Sequence, residues 1–476
     1  MRSTEAEPPH LADEGRWYTE HTALVVTTLK WAVLGAVAGL CVGYGTRAFL
    51  WSLRASSDLV GHTFPGWFRP YFLLPLALPL CVWLIRTFAP TAKGHGTEAV
   101  ITAIHTRSGK VDWLVAPIKL LATVLTLAFG GSVGKEGPCA QIGAAITSLF
   151  ADVLRLDDKD RRRLVICGIG AGFAAVFGTP VSGALFGIEV LYLGRIEYPV
   201  LFPCLVAGIV SHLVCGTSAP VPALTDDISL LGHRTIVPLA ILFGAAFGLI
   251  ALVLIETMRG LERLLRRFQD HPYWIAAAGG AALAVFYLAA GEEYAGLGLP
   301  TIESSLAGTA KLAVLAFLFK IIATAVTLET GGSGGIVTPL FFIGATSGTA
   351  LANATGLSPG VVAAFGFVSV VAGAANTPIA AAIMGMEMLP HNLGVYAALC
   401  AGTAFLFVGH RSVYASQKLG LSKSGGLDVP VGVPIGEVTP AEMRIRKGSL
   451  TESVLEELGK VEKEVRRAGR RDRRSP

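Results

Sequence analysis

The chain has 476 residues, 52% of them hydrophobic and 15% charged, with a formal net charge of +5 and a mean hydropathy of +0.59. An ordinary soluble domain is about 25% charged, so the composition argues against a large soluble enzyme and for a membrane protein. The charge excess sits largely in the C-terminal tail and gives no reason to expect nucleic acid as a partner.

Residues 1–22 are polar and acidic, without the apolar core and small-residue cleavage site of a signal peptide. Apolar runs then recur: Ala23 to Val42, Tyr71 to Ile85, Leu114 to Leu127, Ile236 to Ile255, Trp274 to Ala290 and Val361 to Ala375. Several fall short of the roughly 20 residues that a straight span needs, and many are interrupted by Gly and Pro. Broken helices are tolerated in a bilayer only where their backbone is buried in protein or lines a watery cavity. The seven cysteines (Cys41, Cys81, Cys139, Cys167, Cys204, Cys215, Cys400) lie mostly inside these runs, with no CxxC or metal-ligand spacing. They read as packing residues, and no metal site is expected. From Pro434 to Pro476 the chain is polar, amphipathic around Leu450 to Leu458, and ends in the arginine-rich RRAGRRDRR. The positive-inside tendency puts this tail in the cytoplasm.

One pattern occurs twice, about 200 residues apart. Lys119 to Ala145 reads KLLATVLTLAFGGSVGKEGPCAQIGAA, and Lys320 to Thr346 reads KIIATAVTLETGGSGGIVTPLFFIGAT. Downstream, Thr179-Pro180 and Glu189 match Thr377-Pro378 and Glu387; upstream, GHGTE from Gly94 faces GLGLP from Gly296. Ordered blocks at near-constant offset make the chain two homologous halves, an arrangement typical of transporters.

Four glycine blocks each open a helical pattern: GHGTEAVITAI, GKEGPCAQIGAAI, GLGLPTIESSL and GIVTPLFFIGA. Such a start leaves backbone N–H groups unpaired at the positive end of the helix dipole. Several converging inside a membrane make an anion site without a fixed positive side chain. The alternative, glycines serving only close helix packing, is less favoured for four blocks in pseudo-symmetric positions. GKEGP is no phosphate loop, because Gly134-Lys135 is followed by Glu136 rather than Ser or Thr. Glu136 sits between glycines at a helix start inside an apolar region. An intramembrane carboxylate is costly and is a functional hypothesis by default. Its charge suits the same N–H groups that an anion wants, which makes it a candidate gate, with a helix cap as the bland alternative.

Through these blocks the sequence resembles the CLC chloride channels and chloride/proton antiporters. GKEGP looks like their GREGP, GGIVTP like their GGIFAP, and GHGTE stands where they carry GSGIP. The likeness runs from about Ala23 to Gly420 and includes TPVSGALFGIE and SVYASQ in the expected order. It implies an all-α polytopic membrane protein of tilted and broken helices in two inverted-topology repeats, about residues 71–216 and 274–420 of a membrane domain spanning 23–420. A polar basic cytoplasmic tail, 421–476, follows. It also implies a homodimer in the cell (inner) membrane, both termini cytoplasmic, with an anion pathway in each subunit and no cofactor beyond bound chloride ions.

Residue by residue, Glu136 matches the gating glutamate, flanked by Gly134, Lys135 and Gly137. Gly335, Ile336 and Val337 match the block whose backbone amides hold the central anion, and Tyr414 matches the tyrosine whose hydroxyl reaches it. His95, beside Gly96, replaces the serine of GSGIP; its imidazole offers an N–H or a positive charge at lower pH, or turns away and leaves only the backbone. Val190 replaces the internal proton-accepting glutamate of many antiporters, and valine carries no proton. The proton route is therefore expected to be weak or absent, or to run through Glu136 with Glu189 or His95. The resemblance implies transport of chloride or similar small anions, as a channel, a chloride/proton antiporter or a fluoride exporter. A cation-coupled solute transporter should show more mid-span acids than Glu136 and Glu189, and a membrane hydrolase a Ser-His or HExxH pattern; neither is present, and no enzymatic activity is expected.

Overall fold

The computed structural model describes residues 13–65, 67–217 and 233–458. The Arg cluster near the C-terminus and the first twelve residues lie outside that range. The first half contains α1 (Asp13–Thr63), α2 (Leu74–Phe88), α3 (Thr97–Thr106), α4 (Val115–Ala128), α5 (Glu136–Val153), α6 (Asp158–Phe177), α7 (Pro180–Glu189) and α8 (Leu201–Cys215). The second contains α9 (His233–Leu265), α10 (Pro272–Ala290), α11 (Leu299–Leu306), α12 (Ala316–Glu329), α13 (Val337–Thr355), α14 (Pro359–Ala375), α15 (Pro378–Met388) and α16 (His391–Phe407). Five helical stretches, in α1, α2, α8, α9 and α10, are long and apolar enough to cross a bilayer. The shorter helices α4, α14, α15 and α16 are apolar as well.

Each half repeats the packing of the other. α5 lies on α6 and α13 on α14; α6 lies on α8 and α14 on α16; α2 packs against α10 across the halves. The correspondence starts earlier than residues 71 and 274, because α1 lies along α8 as α9 lies along α16. Small residues allow both approaches: a Cβ at Gly39 of α1 would stand 2.5 Å from the Ala207 carbonyl, and one at Gly244 of α9 would stand 2.6 Å from that of Cys400. α14 is apolar on all sides and accordingly almost wholly buried.

Polar side chains tie the halves together in matched pairs. The Glu189 carboxylate, at the end of α7, accepts the N–H groups of Ile379 and Ala380 at the start of α15 (3.1 and 2.8 Å). Reciprocally, Glu387 at the end of α15 accepts those of Val181 and Ser182 at the start of α7 (2.9 and 2.8 Å). Each carboxylate satisfies orphan donors at the positive end of the other helix. The GGS loops do the same: Ser132 bonds Thr324 and Thr327 of α12, and Ser333 bonds Thr123 and Thr126 of α4. At the centre, the equivalent residues Gly134 and Gly335 exchange both N–H···O bonds as an antiparallel bridge (2.6 and 2.7 Å). An antiparallel bridge between equivalent residues places a local two-fold between the halves, the relation that inverted repeats require.

Ordered structure extends to both sides of the expected membrane domain. α1 begins at Asp13, inside the segment 1–22 expected to be a polar tail. At the other end, residues 421–445 do not leave the body as a tail. β2 (Lys418–Leu419) pairs in parallel with β1 (Tyr192–Leu193), and Ile435 is buried with Leu193 and Leu419. The Lys423 ammonium bonds the Asn376 side chain and the Phe405 carbonyl (2.6 Å each). β3 (Leu427–Asp428) and β4 (Arg444–Ile445) then form a short hairpin. Beyond it, Leu450, Val454, Leu455 and Leu458 are exposed. The polar composition of 421–445 hides this because most of the holding bonds are to backbone.

Candidate anion site and gate

Three glycine loops meet above the starts of α3, α5 and α13. A Cβ on Gly137 would stand 2.0 Å from the His95 carbonyl oxygen and 2.9 Å from Gly335 Cα; one on Gly96 would stand 2.4 Å from the Gly137 carbonyl oxygen. No side chain fits at either position, and Gly96 also has a φ of +83°. The glycines serve close packing and, through it, bring the starts of the three helices together.

At the start of α5, Glu136 is fully buried. Its carboxylate crosses to the first turn of α13, where the Thr338 N–H donates to Oε2 (3.1 Å) and the Thr338 hydroxyl donates to Oε1. Pro138 and Pro339 occupy the third positions of their helices, where no intrahelical N–H bond is lost. The bond breaks the pseudo-symmetry: by the repeat offset, Glu136 is equivalent to Val337 and Gly137 to Thr338. Only one half carries the acid and only the other carries the hydroxyl.

Among the described residues the N–H groups of Ile336 and Val337, at the start of α13, meet no acceptor, as the first N–H groups of a helix have none within it. Gly335 differs from expectation. Its N–H is committed to the Gly134 carbonyl, and that of Gly134 to Gly335, so neither glycine offers an amide to an anion. Lys135 caps α5 by backbone geometry, its carbonyl accepting the Cys139 N–H (3.2 Å). Tyr414 is buried, two residues before Ser416, whose N–H donates to the Glu98 carboxylate (2.8 Å).

His95 is half-buried and lines a cavity of about 620 Å³ together with Lys93, Glu98, Glu262 and Ser412. Its Nδ1 has no partner among the described residues. Directly behind its loop the buried Lys119 ammonium donates to the carbonyls of Ala92 and Gly94 (3.1 and 2.6 Å). Lys320 repeats this in the second half, bonding Tyr294 and Gly296 (3.0 and 2.8 Å). Val190 is wholly buried among apolar neighbours. Glu189 is committed at the start of α15, which accounts for its burial without a proton-carrying role.

Sequence reasoning passed over three residues of this region: Thr338, Lys119 and Glu98. Lys119 and Lys320 open both copies of the repeat, a visible signal. Nothing in the spacing tells that Thr338 meets an acid 202 positions away.

The fold defines an all-α membrane protein built from two related halves around converging helix starts. A family model described as voltage gated chloride channel matches residues 76–409. A "Chloride/fluoride channel protein" of Pseudomonas syringae pv. tomato (strain ATCC BAA-871 / DC3000) is 36% identical over 424 residues, covering 85% of this chain and 90% of that protein. The crystal structure of a CLC-type fluoride/proton antiporter is similar with a TM-score of 0.74 and 27% identity, over 82% of this chain and 98% of that one. A slow cyanobacterial Cl-/H+ antiporter shares the fold with a TM-score of 0.67 and 21% identity, over 79% and 94%. The chain belongs to the voltage-gated chloride channel (CLC) family.

Proposed function

We propose that the chain carries small halide ions, fluoride ahead of chloride, in exchange for protons, through a path in each subunit that Glu136 closes. The observation that carries this reading is the bond from Thr338 to Glu136. The N–H and O–H at the start of α13 can serve a halide or a carboxylate, and one excludes the other. Protonation removes the charge that holds Glu136 on these donors, so a halide can take its place; loss of the proton brings the carboxylate back. A cycle of that kind moves a proton with each change of occupant.

Fluoride is favoured because a small, strongly hydrated anion gives up its water only for close donors, and a hydroxyl beside helix-start amides supplies them. The two relatives whose names mention fluoride are also more similar to this chain than the Cl-/H+ antiporter is. Val190 counts against the usual internal proton acceptor, not against protonation of Glu136. The homodimer, with a separate path per copy, and a location in the inner membrane with both ends cytoplasmic belong to the same reading. The basic tail supports that orientation.

Purified protein in liposomes, loaded with fluoride or chloride and monitored for halide and pH together, tests it. Fluoride efflux faster than chloride efflux, with proton uptake, is expected. Equal rates for both ions with no proton movement would refute it.

A further inference from the structure

Glu98 is an acid that the gate formed by Glu136 and Thr338 does not use. It lies in the first turn of α3, where the GSGIP block to which GHGTE is similar ends in proline. One carboxylate oxygen accepts the Ser416 N–H (2.8 Å), and the Ser416 hydroxyl donates back to the Glu98 carbonyl (3.2 Å). This clamp fixes the side chain. The other oxygen, Oε2, is buried without a donor among the described residues. A buried acceptor left unpaired is costly, and a proton placed on Oε2 relieves that cost.

Its surroundings connect two places. On one side Glu98 lines the 620 Å³ cavity together with His95. On the other, it lies two residues after Gly96, where a Cβ would stand 2.4 Å from the Gly137 carbonyl oxygen beside Glu136, and its clamp Ser416 lies two residues after the buried Tyr414. Charged groups line the same cavity: Glu262 and Arg259 from α9, Arg266 just after it, Arg86 from α2, Glu329 from α12, and Lys93 from the loop before α3. Lys119 of α4 stands behind the same loop, fully engaged with its carbonyls.

We propose that Glu98 is the carboxylate that passes protons between the cavity and Glu136, in the place that Val190 leaves vacant. The O–H bond of neutral Glu136 breaks as Glu98 Oε2 takes the proton, directly or through the Tyr414 hydroxyl, and the proton then leaves to water in the cavity. Ser416 holds the second oxygen throughout, so the acceptor stays aimed. The inference rests on proton exchange through Glu136 and adds the group that receives the proton.

The test is the number of protons moved per fluoride in liposomes for the parent, Glu98→Gln, Glu98→Asp, Glu329→Gln and Glu136→Gln. Gln at 98 keeps the bond from Ser416 and cannot relay a proton, so the ratio is expected to fall at least tenfold. Asp is expected to recover part of it, and Glu329→Gln, a carboxylate lost elsewhere in the cavity, to leave it at the parent value. A merely structural role for Glu98 would lower flux and keep the ratio. An unchanged ratio in Glu98→Gln, while Glu136→Gln abolishes proton movement, overturns the role of Glu98 and leaves the gate intact. A parent that moves no protons overturns this proposal together with the exchange reading.

Discussion

Thr338→Val keeps the outline of the side chain and removes its hydroxyl. The closed gate then loses one hydrogen bond from the Thr338 hydroxyl to a buried carboxylate and keeps the one from the Thr338 N–H. A hydrogen bond to a charged group contributes about 1.5–3 kcal/mol. In the proposed gate the neutral acid leaves these donors, so the bond favours only the ionised state and its loss makes the proton easier to take up. At about 1.4 kcal/mol per pH unit, the pH of half-maximal halide flux rises by about 1–2 units. The direction follows from the state that is weakened: a carboxylate less well held accepts its proton at a lower proton concentration, and the path opens at higher pH. The assay is halide efflux from liposomes over a series of pH values, at two halide concentrations so that gating and affinity separate. Thr338→Ser, which restores the hydroxyl, is expected to return the midpoint to the parent value. A midpoint unmoved in Thr338→Val, with only the halide concentration dependence altered, would show that the hydroxyl serves the anion and not the gate.

Two further outcomes follow from the packing. Gly137→Ala puts a methyl 2.0 Å from the His95 carbonyl oxygen and 2.9 Å from Gly335 Cα; overpacking of this kind costs about 1–3 kcal/mol or more. The melting temperature in detergent is expected to fall, and added halide to lose its protection against unfolding. Glu189→Gln and Glu387→Gln each replace a carboxylate that accepts two N–H groups at a helix start. Both are expected to destabilise by similar amounts, about 0.5–2 kcal/mol in thermal unfolding, with the proton count per halide unchanged in Glu189→Gln. A loss of proton movement in that variant would give Glu189 a role beyond capping.

Much of the fold was legible because the repeat writes it twice. Lys119 and Lys320, the two GGS loops, and Glu189 with Glu387 appear at matched places in the sequence and make matched bonds in the structure. Glu136 stood out for the cost of its charge in an apolar setting. Other features leave no local trace. The bridge between Gly134 and Gly335 removes two amides from the anion's reach, and only the three-dimensional pairing of loops reveals it. Thr338 and Glu98 have unremarked polar side chains whose meaning depends on Glu136 and Ser416, each a long way off in sequence. Two features at the ends of the chain were hidden for a related reason. The start of α1 is polar in composition, and the segment after Gly420 is held largely by backbone bonds and one buried lysine, which hydropathy does not register.

The central claim is that Glu136 and a halide compete for the same donors at the start of α13. Halide flux through purified Glu136→Gln in liposomes, measured beside the parent over the same pH series, tests it most directly. Gln has the shape of the protonated acid and no charge to hold on the Thr338 donors. Flux is expected to be high at every pH in the variant and to fall with rising pH in the parent. A variant with the parent's pH profile would contradict the account.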